Sequence, residues 1–205
     1  PALPGEMVMI LAQTSNYKSG FIDAWEYEAA QQLQSEGRTD EVLVHISVEE
    51  SVEQQVYRLL ARETGVSAGQ IARGKIENWE DFVFASIKVG EVNIYRIGHS
   101  LMNPGVFPRL HISNMIRAIE YLQDKLHGRK LMIAGLFFDY LQAFPFDDEE
   151  KRVQVVDRQK FQIREDVYRI FQAANYFNCP AIVSSQAKQT LDNAPSKNMY
   201  IPGIY

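Results

Sequence analysis

Five short apolar runs, set between longer segments with helical periodicity, constrain this chain more than any other feature of it. The runs are Met7–Leu11, Val42–Ile46, Val92–Ile97, Leu136–Phe138 and Ala181–Val183. They are largely apolar rather than alternating with polar residues, which is the pattern of strands buried on both faces. Between them Phe21, Trp25, Ala29 and Leu33 fall four apart, and Val52 and Val56 lead into Leu59 and Leu60. Ile112, Ile116, Ile119, Leu122 and Leu126 form a third stripe, which closes at Gly128 as a helix C-cap. Ile163, Val167, Ile170, Ala174 and Phe177 form a fourth. This alternation predicts an α/β fold, a mostly parallel sheet with helices on both faces. Right-handed crossovers then bring the carboxyl ends of the strands to one edge, where such sheets bind ligands.

Composition narrows the class. A chain of 205 residues with 46% hydrophobic and 23% charged side chains folds as one soluble domain, which excludes disordered, collagenous and coiled-coil readings. The net charge of −5 argues against a wholly basic nucleic-acid wrapper while leaving room for a local basic channel. Cys179 is the only cysteine, so a disulfide scaffold and a Cys-rich zinc site are excluded, and it reads as a small buried hydrophobe. His45, His99, His111 and His127 show no metal-ligand spacing. The longest apolar stretch, Leu131 to Phe138, is far short of the roughly 20 residues that a membrane helix needs. The first residues lack the basic and apolar regions of a signal peptide. The chain therefore reads as cytoplasmic. Two stretches are irregular: Gly98 to Pro108 reads as a surface excursion, and the charge run in Ala143 to Arg158 as a solvated loop.

The strand ends carry the residues that can do chemistry. After the first run come Ala12, Gln13, Thr14, Ser15, Asn16, Tyr17, Lys18 and Ser19, and a helical stripe follows at once. A phosphate-binding loop reads Gly, four residues, Gly, Lys, Ser or Thr. Lys18 and Ser19 match it, whereas Ala12 and Tyr17 occupy the glycine positions. In such a loop the lysine reaches terminal phosphates, the hydroxyl binds Mg²⁺ and backbone N–H groups cradle the anion. The other reading is an ordinary exposed helix start. The second run leads into Ser47-Val48-Glu49-Glu50, where a carboxylate could orient an attacking water or merely favour the positive end of the next helix. The fourth run closes in Asp139, as a Mg²⁺-associated aspartate is presented in phosphate-loop enzymes. The last leads into Ser184-Ser185-Gln186, where an amide could sense a γ-phosphate or be a plain loop residue.

Together these pieces resemble the C-terminal, RecA-like motor domain of the replicative hexameric DNA helicases of the DnaB type, over nearly the whole chain. Asp139-Tyr140-Leu141-Gln142 is similar to that family's segment after its Walker B strand. Ser47-Val48-Glu49, with Glu53-Gln54 and Arg58-Leu59-Leu60-Ala61 beyond it, is similar to the family's Ser-Leu-Glu segment and following helix. Ile71-Ala72-Arg73-Gly74 with Asn78-Trp79, and Asn178-Cys179-Pro180 leading to Ser185-Gln186, resemble two further stretches. Tyr17 departs from the family's glycine, and Gln189 stands where the family often has arginine. The family's arginine finger, its final strands and its N-terminal domain have no counterpart in 1–205, which reads as a single RecA-like ATPase core.

The resemblance implies a P-loop NTPase that uses ATP and Mg²⁺ and assembles as a homo-hexamer around single-stranded DNA, cytoplasmic and bacterial or phage-encoded. Carried over to these positions, Lys18 and Ser19 hold phosphate and Mg²⁺, Glu49 is the general base, Asp139 the Walker B carboxylate and Gln186 the γ-phosphate sensor. Arg152, Arg158 and Lys160, with Lys188 and Lys197, fall in the stretches that face DNA in that family. Two rivals are a catalytically weakened RecA-like domain serving as a nucleotide-binding or assembly module, and a RecA-like ATPase that acts on protein.

Overall fold

The computed structural model describes residues 2–12, 17–102, 111–139, 141 and 155–186, the side chains of 155–160 excepted. Five strands, β1 (Met7–Ala12), β2 (Glu41–Ser47), β3 (Ile94–Ile97), β4 (Met132–Asp139) and β5 (Ala181–Gln186), pair in the order β1-β5-β4-β2-β3, every pairing parallel. The helices are α1 (Lys18–Ser35), α2 (Val52–Thr64), α3 (Ala68–Ile71), α4 (Trp79–Glu91), α5 (Ile112–His127) and α6 (Val155–Tyr176). The expected α/β fold is thus present, with a fully parallel sheet. No helix among the described residues is long and apolar enough to cross a membrane.

Side-chain alternation along the strands sorts the core into two layers. Val42, Val44 and Ile46 of β2, Leu136 and Phe138 of β4 and Val183 of β5 face α5 and α6, packing on Met115, Ile119 and Ile170. The intervening Leu43, Phe137 and Ile182 face α1 and pack on Ile22, Tyr27 and Ala30. Cys179 is buried with the first layer, and burial pushes its thiol up to about 12, as expected of a structural rather than reactive cysteine.

The helix-to-strand turns share one device. Gly37 after α1, Lys130 after α5 and Asn178 after α6 all have positive φ, and the next residue's N–H bonds back five residues to a helix carbonyl. This is a Schellman stop, which satisfies the last carbonyls and turns the chain into the sheet. Gly128 is the C-cap of α5, as expected, in a right-handed conformation; the left-handed position belongs to Lys130.

Four expectations change. The α1 stripe is shifted by one residue: Phe21 is 56% exposed, and the buried face holds Ile22, Asp23, Glu26, Tyr27 and Ala30. Two polar residues on that face hide the true stripe from a hydrophobic count. Strand β3 starts at Ile94, because Val92 is still the cap of α4. The short α3 and the longer α4 replace what reads as unassigned sequence, each started by an N-cap, Ser67 and Asn78, whose side chain accepts a backbone N–H. Arg158 lies inside α6 and not in a loop, since an apolar stripe runs through the helix; residues 143–154 lie outside the described residues. Of the Gly98–Pro108 excursion, 98–102 are described and are tied down: Glu53 of α2 accepts from the Ser100 hydroxyl and from the Leu101 N–H at 3.0 Å.

Gly98, directly after β3, lies so close to β2 that an added Cβ would meet the Ser47 carbonyl oxygen at 2.8 Å. Backbone cannot move aside as a flexible side chain does. Gly98→Ala should therefore destabilise the fold by about 1–3 kcal/mol through overpacking, measured as a lower urea midpoint with an unchanged slope.

Candidate functional site

The direction of strand order reverses between the parallel neighbours β2 and β4: β3, which follows β2, lies on one side, and β5, which follows β4, lies on the other. A crevice outside the carboxyl ends of two such strands is where open α/β sheets bind ligands. The register is level there, with Ser47 opposite Asp139 and, on the far pair, Ala12 opposite Gln186. Among the described residues, the candidates Ala12, Tyr17, Lys18, Ser19, Glu49, Asp139 and Gln186 lie at or just beyond this edge because all five strands point the same way.

Asp139 is 1% exposed. A carboxylate so deep needs partners, and two neighbours supply them. The Ser184 hydroxyl of β5 donates to Asp139 Oδ1 at 2.6 Å, and Lys18 Nζ lies 3.9 Å from the same oxygen. Lys18 opens α1. Loss of surrounding water is the largest influence on its ammonium and lowers its pKa, against the opposing pull of Asp139, Glu49 and Glu50 in that order. One lysine thus senses three carboxylates from two strand ends. Glu49 is solvent-facing just beyond β2, while the neighbouring Glu50 is paired with Arg58 of α2.

Tyr17 precedes this lysine in the left-handed region, φ 51 and ψ 28, and its ring is 88% exposed. The ring therefore swings outward, while the Tyr17 carbonyl accepts the Phe21 N–H at 2.9 Å and starts the helix. Ser19 follows in the first turn and is half-buried. Gln186 ends β5, level with Ala12. Gln13, Thr14, Ser15 and Asn16 lie outside the described residues, as do Arg152, Lys188 and Lys197. Arg158 and Lys160 belong to α6, and their side chains lie outside the described set.

Sequence spacing misses a buried polar network beneath the site. His45 occupies the α1 side of β2, between Leu43 and Ser47, and Arg96 stands opposite it on β3. Glu26 of α1, 0% exposed, accepts from His45 Nδ1 at 3.2 Å and from Arg96 Nη1 at 2.9 Å. Asp23, one turn earlier, accepts from Arg58 Nε at 2.6 Å. Asp23, Glu26 and His45 offer ligand atoms within 4.8 Å of one another, a cluster that linear histidine spacing does not reveal. Both carboxylates are already held by guanidinium groups, so the set is an ion-pair network rather than an open metal centre. A signal is present in the sequence: His45 and Arg96 interrupt otherwise apolar strands, and Asp23 and Glu26 are three apart on one helix face. Burial works to raise the carboxyl of Glu26, but His45 and Arg96 outweigh it and the net shift is downward. For Asp23 burial dominates and the shift is upward, despite His45 and Arg58.

A family model described as DnaB-like helicase C terminal domain matches residues 2–201. Among solved structures, one of a DnaB-like replicative helicase, described with its interactions with primase, matches with a TM-score of 0.71 at 16% sequence identity. The match covers 91% of this chain and 40% of that one, so the chain spans less than half the length of that helicase. No curated protein matches the chain in sequence.

The lowered carboxyl of Glu26 has a pH consequence. Its stabilising contribution is present above its ordinary value of 4.5 and is lost as pH falls through the lower folded-state value. Glu26→Gln removes the carboxylate that His45 and Arg96 share, leaving Arg96 the neutral Gln55 side chain, and should cost about 3–5 kcal/mol at neutral pH as a broken buried pair. In urea unfolding, the gap between wild type and variant should narrow as the pH is taken below 4.5. A gap independent of pH would refute the assignment.

Proposed function

The chain belongs to the DnaB-like helicase C-terminal domain family, and from that membership we propose that it is an ATP-binding and ATP-hydrolysing motor that moves on single-stranded DNA. The observation that carries the reading is the meeting of Lys18, Asp139 and Ser184 at the switch point of a parallel sheet, with Glu49 in solvent beside them. On this reading the stretch Ala12–Ser19 wraps the phosphates. Lys18, which has lost much of its water beside Asp139, gains a further anionic partner when its ammonium meets a phosphate oxygen.

Asp139 and the hydroxyl of Ser19 are hard oxygen donors, the kind a divalent cation such as Mg²⁺ takes. The hydroxyl of Ser184 already orients the carboxylate. Bound there, the cation would neutralise charge on the phosphates. Glu49 would then accept the proton of the attacking water; its solvent-facing position lets that water reach it. Gln186 would contact the γ-phosphate, which makes β5 the strand that reports hydrolysis to the loop beyond it.

The outward ring of Tyr17 supports binding, since a Cβ and ring turned to solvent stay clear of the lysine. Assembly as a homo-hexamer would sum several weak phosphate contacts from Arg152, Arg158, Lys160, Lys188 and Lys197 along one DNA strand. A cytoplasmic replication role accords with this reading.

Titration calorimetry with Mg²⁺ and ATP is the test. The wild type should release heat on binding and Lys18→Ala should not; no heat from either at millimolar nucleotide would end the reading. Glu49→Gln should bind ATP nearly as well and turn it over about 10²-fold more slowly, because only the proton acceptor is lost. Tyr17→Gly should alter ATP affinity by less than about tenfold, or 1.4 kcal/mol. If Tyr17→Gly converts a non-binder into a tight binder, the assembly-module alternative replaces the motor. DNA affinity of the assembled ring should fall steeply with added salt.

A further inference from the structure

We propose that Arg58 is a positioning residue for hydrolysis: it ties α1, the helix that starts at Lys18, to the segment that carries Glu49. The inference rests on the motor reading above and assigns the buried network a part in it. Arg58 projects from α2 with its fork shared between two elements. Its Nε and Nη2 both lie 2.6 Å from Asp23 Oδ2 of α1, and its Nη1 pairs with the Glu50 carboxylate.

Glu50 is held a second time through its backbone. The Gln55 side-chain amide donates to the Glu50 carbonyl at 3.3 Å, while Gln55 Oε1 accepts from Arg96 Nη1 at 3.3 Å. Arg96 in turn grips Glu26 of α1. Both routes from Glu50 therefore end on carboxylates of the helix that presents Lys18. Glu49 is the next residue back along the chain, so its placement relative to Lys18 follows from these two ties.

General helix packing does not require Arg58 for this. Arg62 of α2 also pairs with α1, at Glu28, one turn further from the site and in solvent. That pair joins the same two helices without touching 47–50. It serves as the built-in comparison.

The test compares Arg58→Met, Arg58→Lys and Arg62→Met with wild type, reading ATP affinity by calorimetry and turnover at saturating ATP. Small misplacement of a catalytic group costs rate heavily. Arg58→Met should lower turnover by about tenfold or more with ATP affinity within about threefold. Arg58→Lys keeps the charge but not the fork, so it should recover part of the rate. Arg62→Met should leave both quantities near wild type.

Amide exchange gives a reading independent of activity: the segment 47–51 should exchange faster in Arg58→Met and not in Arg62→Met. Equal rate losses in the two methionine variants, or a loss of affinity as large as the loss of turnover, would overturn the proposal. Should wild type hydrolyse no ATP, the motor reading fails by itself. The tether is then judged by exchange alone, and unchanged exchange at 47–51 in Arg58→Met overturns it. If Arg58→Met does not fold, Arg58→Lys carries the same comparison.

Discussion

Strand β4 is held by parallel partners on both edges and by helices on both faces, and the site depends on that confinement. Its last residue, Asp139, is in register with Ser47 of β2 and one strand removed from the β1 end at Ala12. The pairing continues past β2, since Val48 N–H donates to the Asp139 carbonyl at 3.2 Å. A carboxylate fixed by sheet register has little freedom to follow a ligand. Its neighbours come to it instead: Lys18 from the start of α1 and the Ser184 hydroxyl from β5.

The α1 layer shows the opposite economy. Its sheet side carries His45 and Arg96, and its helix side Asp23 and Glu26, whereas the buried strand residues facing α5 and α6 are apolar apart from Ser185. Apolar side chains of the same volume would commonly serve stability as well or better. What charged groups add is direction: a guanidinium fork holds two acceptors at set angles, whereas hydrophobic contacts tolerate sliding. The polar layer lies on the side of the sheet from which α1 presents Lys18. Both faces bury apolar side chains, and the α1 face adds the ion-pair network to them.

Much of this architecture is legible in the residues alone. Strands buried on both faces leave near-continuous apolar runs, which locate β2, β4 and β5 and put Asp139 at a strand end, and the edge strand β1 leaves the same run although Met9 and Leu11 are exposed. The same reasoning misplaces the α1 stripe. It counts only apolar residues, and Asp23 and Glu26 are buried on partners 19 or more residues away in sequence, which no local period can register. Ser184 escapes it too, because a serine in a strand carries no signal until its neighbour is known to be Asp139. Helix α4 is silent in the pattern because Trp79, Val83, Phe84 and Ile87 stay exposed while Ala85 is buried, so its apolar positions do not mark one inward face.

The start of α1 brings these threads together. Helices α2, α3 and α4 begin with Ser51, Ser67 and Asn78, each accepting a backbone N–H, and α2 and α4 add acidic residues in the first turn. Those starts neutralise the positive end of the helix from within the sequence. Helix α1, like α5, does neither: Tyr17 gives no side-chain cap, and the first turn holds no acid. A left-handed, non-glycine residue at such a place costs on the order of 1–2 kcal/mol, and no side-chain cap offsets it. A helix start with no acidic residue of its own, and a lysine at its first position, is suited to an anion from outside. With its ring outward, the strained Tyr17 backbone turns the chain into α1 while its bulk stays away from Lys18 and Asp139. The departure from glycine changes the cost of forming the turn more than it changes what the turn presents.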